Sequence, residues 1–152
     1  MALKLSSGLV NAILDTHCFK NTMALGFLYI YSGLQPADAD AIETPGAVNL
    51  LIITNASTAT GLTWADATLN VIPKTAAPSE VWSGIGLVAG IAGWFRFYAA
   101  AKGMGASTSA VRFDGRVSAI GGGGDIELSS TTVAVGATTT ISTATFTLPL
   151  SA

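Results

Sequence analysis

The feature that most limits the fold is a rhythm of short β-type runs separated by frequent turn residues. FLYIYS, residues 27–32, is aromatic and β-branched and stops at Gly33, while VNLLIIT, residues 48–54, is a continuous apolar run of the buried-strand type. Beyond residue 54 the same logic predicts short strands at 63–64, 69–72, 91–98, 116–120, 126–128, 131–135 and 138–148. In TTTISTATFTL the threonines alternate with small or apolar partners, the period-two signature of a half-exposed strand. A helical period occurs once: between Ser7 and Phe19, Leu9, Val10, Ile13 and Leu14 recur on one face behind a serine able to cap. With no further helices to separate the strands, a parallel α/β architecture is disfavoured. The pattern predicts a mainly β chain, an antiparallel β sandwich of jelly-roll type with one short N-terminal α-helix. Residues 1–20 read as a helical arm and 21–152 as a single sandwich domain.

Only 11% of the 152 residues are charged, against roughly 25% in an ordinary soluble domain, while 50% are hydrophobic. Mean hydropathy is +0.56. Such a chain leaves more apolar surface than a monomer tolerates well, which predicts a homo-oligomer, dimer or trimer. The net charge of −2 comes from seven basic and nine acidic residues. The basic ones are scattered from Lys4 to Arg116 rather than clustered, so no nucleic-acid groove is expected. The longest apolar run, 85–95, stops at Arg96 and is shorter than the ~20 residues of a membrane span. The N-terminal stretch is interrupted by Ser6, Ser7, Asn11 and Asp15 and makes a poor signal peptide, so the sequon at Asn55 is expected to stay unmodified. With Cys18 as the single cysteine, an intrachain disulfide and zinc sites of the Cys₄ or Cys₂His₂ type are excluded.

Gly121 to Gly124 raise the question of a phosphate loop. The run continues into Asp125, Ile126, Glu127 and Leu128, without the lysine of a Walker loop, without a helix, and with carboxylates where a phosphate would sit. It reads as a hairpin connection using positive φ. His17 and Cys18 are sequence neighbours, and adjacent helical residues do not face each other, so they make a poor nucleophile–base pair. No G-x-S-x-G elbow supports a hydrolase. Asp38, Asp40 and Glu43 lie within six residues but lack the EF-hand spacing, and read as a solvated loop with Asx turns. Asp114-Gly115 reads as a turn. No catalytic residue, cofactor or metal is expected.

Alternation in GWFRFYA puts Phe95 and Phe97 on one face of a strand and Trp94, Arg96 and Tyr98 on the other. An arginine flanked by rings has two readings: an intrachain strand with a snorkelling Arg96, or a subunit contact. The candidate interface residues are therefore Leu9, Val10, Ile13 and Leu14 on the helix, with Trp94, Arg96 and Tyr98.

Three segments, LYIYSGLQPADADAIE (28–43), GIAGWFRFYAAAKG (90–103) and FDGRVSAIGGGGDIELSSTTVAVGATTTIST (113–143), resemble small structural virion proteins of tailed bacteriophages. The resemblance implies a capsid decoration, or cement, protein. Such a protein is made in the host cytoplasm, sits on the capsid surface and has the major capsid protein as partner. The N-terminal helix and the loop 33–46 are the expected contact elements. The alternatives are a tail or head–tail connector component, or a ligand-binding β domain such as a carbohydrate-binding module using Trp64, Trp82 and Trp94.

Overall fold

A computed structural model describes residues 3–15, 18–100 and 104–147. The chain is mainly β and sandwich-like, with antiparallel pairing dominant. Among the described residues, eleven strands and two short helices succeed one another in the order β1 (Lys4–Leu5), α1 (Ser7–Asp15), α2 (Phe19–Thr22), β2 (Phe27–Ser32), β3 (Asn49–Asn55), β4 (Val71–Pro73), β5 (Trp82–Ile85), β6 (Gly90–Tyr98), β7 (Arg112–Ala119), β8 (Ile126–Leu128), β9 (Thr132–Val133), β10 (Thr138–Thr140) and β11 (Thr145–Thr147). Nine strands form one sheet in the order β1-β7-β6-β2-β3-β5-β10, with β8 beside β7 and β9 beside β6, while β11 and β4 make a separate ribbon. A jelly-roll order is not evident in this path.

Side-chain alternation explains how β2, β6 and β7 are held. Leu28, Ile30, Phe95, Phe97 and Phe113 point to one face and enter the main core with Trp64, Trp82, Ile72 and Phe146. The rings interlock: Phe97 stacks on Phe113 with centroids 5.3 Å apart, Trp64 meets Trp82 edge-on at 5.2 Å, and Phe19 stacks on Phe146 at 4.0 Å. The last contact fastens α2 and the β4–β11 ribbon over the main sheet.

The segment read as an arm is docked. Lys4 and Leu5 pair with Asp114 and Phe113 of β7. Ser6 is fully buried, accepts the Leu9 N–H at 3.1 Å as the N-cap of α1, and donates to the Ala110 carbonyl at 2.7 Å. Leu9 is fully buried in the core and Ile13 packs against it.

Two turn expectations are corrected. Asp114 and Gly115 are not a turn but mid-strand residues of β7, opposite Arg96 and Phe95. A Cβ at Gly115 would sit 2.5 Å from two ring carbons of Phe95, so glycine is needed there for close packing rather than for turning. The glycine run does not make a hairpin, because β7 and β8 are parallel, Val117 lying opposite Ile126. Gly121 and Gly123 do take positive φ, 81° and 69°. The expected strand 138–148 is divided: β10 belongs to the main sheet and β11 to the ribbon.

Candidate functional site

The outer face of β2, β6 and β7 carries a three-by-three grid. Register places Phe27, Tyr98 and Arg112 in one row, Tyr29, Arg96 and Asp114 in the next, and Tyr31, Trp94 and Arg116 in the third. Each row is a set of directly opposed cross-strand neighbours, the pairs that interact most closely in a sheet. Arg96 and Asp114 are both fully buried and joined by two parallel hydrogen bonds, Nε to Oδ1 at 2.6 Å and Nη2 to Oδ2 at 2.7 Å. The guanidinium also lies 5.4 Å from the Trp94 ring centroid, and Trp94 stacks on Tyr31 at 4.4 Å.

Residues 33–48 form a strap over this grid. Its ends meet where the Ser32 N–H donates to the Val48 carbonyl at 3.0 Å, the arrangement of a compact Ω-type loop. Fully buried Arg112 donates from Nε to the Ala39 carbonyl at 2.6 Å and from Nη2 to the Asp40 carbonyl at 3.0 Å. Glu43 accepts from the Tyr98 hydroxyl at 2.7 Å and from Arg96 Nη1 at 3.3 Å. Asp40 accepts from the Ser7 N–H at 2.9 Å and from the Ser7 hydroxyl, capping α1 from outside the helix. Lys4 Nζ donates to the Pro36 carbonyl. The three carboxylates of the acidic loop thus diverge: Asp38 closes a local turn on the Ala41 N–H at 2.8 Å, Asp40 serves the helix and Glu43 serves the grid.

Burial raises the phenol pKa of both Tyr31 and Tyr98, and at Tyr98 the hydrogen bonds to Glu43 and Tyr31 add to it. Burial works against the charge on Arg96, but the bonds to Asp114 more than offset it and hold the guanidinium above its ordinary value. Burial also opposes ionisation of Glu43, yet the Tyr98 hydroxyl, its own backbone and the charges of Arg96 and Arg112 keep its carboxyl below the ordinary value.

Four of the seven candidate interface residues are corrected. Leu9, Trp94, Arg96 and Tyr98 are each 0% exposed, so none presents a surface, and Arg96 does not snorkel because Asp114 and Glu43 neutralise it in place. Ile13 is half-buried, whereas Val10 and Leu14 are exposed. Trp64, Trp82 and Trp94 are all buried, which removes the tryptophan platform that a carbohydrate module would use. His17 lies outside the described residues, and Cys18 is exposed.

The glycine loop is already occupied from within. The N–H groups of Gly121 and Gly123 converge on the Glu127 carboxylate at 3.1 and 2.9 Å, and Asp125 accepts the Arg116 N–H at 2.8 Å. The anion-binding concavity such a loop offers is filled by the chain's own carboxylate. Among the described residues, no group of three or more His, Cys, Asp or Glu side chains is placed to hold a metal ion, and no helix is long and apolar enough to cross a membrane.

Sequence reasoning missed one surface. Segments 44–65, 81–95 and 128–147 contain no charged residue, so all sixteen charges of the chain lie elsewhere. β3, β5, β9 and β10 come from these segments, and Ile85, Leu87, Val88, Ile91 and Val135 are exposed there, the last two 67% each. Counting charge along the chain would have found it. Comparison with protein-family models, with curated proteins and with solved structures finds no match.

Proposed function

We propose that this protein is a structural virion component of the capsid decoration type, working by occupying a surface rather than by bond chemistry. The observation that carries the reading is a network in which the conspicuous polar residues satisfy one another, leaving exposed apolar side chains rather than a polar site at the surface of α1 and the strap. The three phage-like segments support it, and together they supply most of the strap and of the grid beneath it. A rigid β body with exposed Val10 and Leu14 on α1, and Leu34 and Ile42 on the strap, offers apolar contacts to the major capsid protein. A protein that binds only the assembled shell stabilises it by mass action, and symmetry repeats the gain around the shell.

The test is co-sedimentation of the purified protein with empty expanded capsids of its phage, together with heat-induced DNA release from filled heads. Decoration at fixed stoichiometry, with release shifted to higher temperature, is expected. Leu14→Glu and Ile42→Glu should each reduce occupancy while leaving the fold intact. Absence of capsid binding by the folded protein overturns the decoration reading and favours a tail or connector position.

A further inference from the structure

We propose that the outer edge of β10 is a self-association site, at which a second copy of this chain pairs antiparallel, β10 to β10, across a twofold axis. This goes beyond the decoration reading and gives a site to the homo-oligomer that the low charge and high hydropathy of the chain lead one to expect, with an identical chain as the partner. β10 ends the strand order of the main sheet, and no strand of the described residues lies beyond it. On its inner side the Ala137 carbonyl accepts from Gly86 at 2.9 Å, the Ile141 N–H donates to Trp82 at 2.8 Å, and Thr139 lies opposite Gly84. Alternation of an antiparallel ladder then turns the N–H and C=O of Thr138 and Thr140 outward.

Natural edge strands are usually guarded by charge, proline or a bulge. Segment 128–147 has no charged residue and no proline, and β10 pairs with β5 in unbroken register. An open trough of about 410 Å³ runs along this edge, lined by Ser129, Ser130, Thr132 and the three threonines of β10, so an extended strand can reach it. The exposed side chains of Ile85, Leu87, Val88, Ile91 and Val135 lie on the adjoining segments, tied to one another where Gly136 N–H donates to the Gly86 carbonyl at 2.9 Å and Ile91 pairs with Thr132.

Charge selects the occupant. A charged partner would bury its charges against a surface that has none to match them, whereas a second copy meets the same uncharged surface with no charge to desolvate. A twofold contact is also self-complementary, since each edge supplies the donors and acceptors the other needs. In the resulting register Thr138 faces the second copy's Thr140, and the two Thr139 residues face each other as a non-hydrogen-bonded pair with Cα atoms ~4.5 Å apart. That spacing lies within disulfide reach.

The experiment uses the full chain without capsid. Sedimentation velocity is expected to show a dimer at micromolar concentration. Cys18→Ser combined with Thr139→Cys should form an intermolecular disulfide on mild oxidation, at least ~10-fold faster than Cys18→Ser combined with Thr138→Cys. Thr140→Pro removes an outward N–H without touching the β5 ladder and should weaken dimerisation at least ~10-fold with unchanged circular dichroism. If Thr140→Pro fails to fold, the cysteine pair decides alone. A monomer at all concentrations up to ~100 μM, a trimer, or equal cross-linking at 138 and 139 overturns the proposal. A monomer that still decorates capsids overturns this inference alone, while a dimer that binds no capsid supports it and overturns only the decoration reading.

Discussion

Arg96 and Asp114 place two full charges beneath the strap, both completely buried, and removing either partner strands the other in a medium that solvates it poorly. Asp114→Ala leaves Arg96 with the longer bond to Glu43 and its contacts with Tyr98 and Trp94 but no carboxylate in the two-bond pairing, and is expected to cost about 3–5 kcal/mol in urea denaturation. The double variant Arg96→Met/Asp114→Leu, which removes both charges, should recover most of that loss. A small effect of Asp114→Ala alone would mean that solvent reaches the pair. The sequence disclosed half of this interaction. Alternation placed Arg96 on the face opposite Phe95 and Phe97, and that placement holds. Its partner stayed hidden because Asp-Gly is a turn signal over two residues, while the ladder to β6 that overrides it joins residues eighteen positions apart.

Among the elements, α1 and the strap depend on each other. Ser6 caps the helix from within, and Asp40 adds two bonds to Ser7 from the strap, placing a carboxylate at the positive end of the helix dipole. Asp40→Ala is therefore expected to cost about 1–2 kcal/mol, lowering Tm by several degrees, and to speed amide exchange in the first turn of α1 and along the strap. An unchanged melting curve would show that Ser6 alone suffices. The strands that sequence located best, β2 and β8, have unbroken apolar or alternating patterns. β5 was missed because WSGI holds a serine and a glycine in its four residues. Gly84 is there because a Cβ would sit 2.3 Å from the Ile52 carbonyl oxygen, a constraint set by β3 some thirty residues away. The parallel pairing of β7 with β8 was equally invisible, since it depends on Glu127 and Asp125 folding the glycine loop back on itself.

For the whole molecule, the sheet separates two kinds of interior: a main core of aliphatic and aromatic side chains on one face, and tyrosine, tryptophan and paired charges under the strap on the other. The second layer makes stability sensitive to alkali. Burial lifts the phenols of Tyr31 and Tyr98 above the ordinary value of 10.0, so the folded state holds their protons after an unfolded chain has begun to lose them. The stability contributed by these two groups is fully present below pH 10 and is lost as pH rises above it, at up to about 1.4 kcal/mol per pH unit for each phenol. The expected result is that tyrosinate absorbance from these two residues appears only together with loss of the near-ultraviolet dichroism of the native state. Tyr98→Phe should make the alkaline fall shallower by one such slope, because one of the two protons has been removed from the balance. Ionisation of both phenols close to pH 10 with native dichroism retained would mean that water enters the layer freely and that the strap is not its seal.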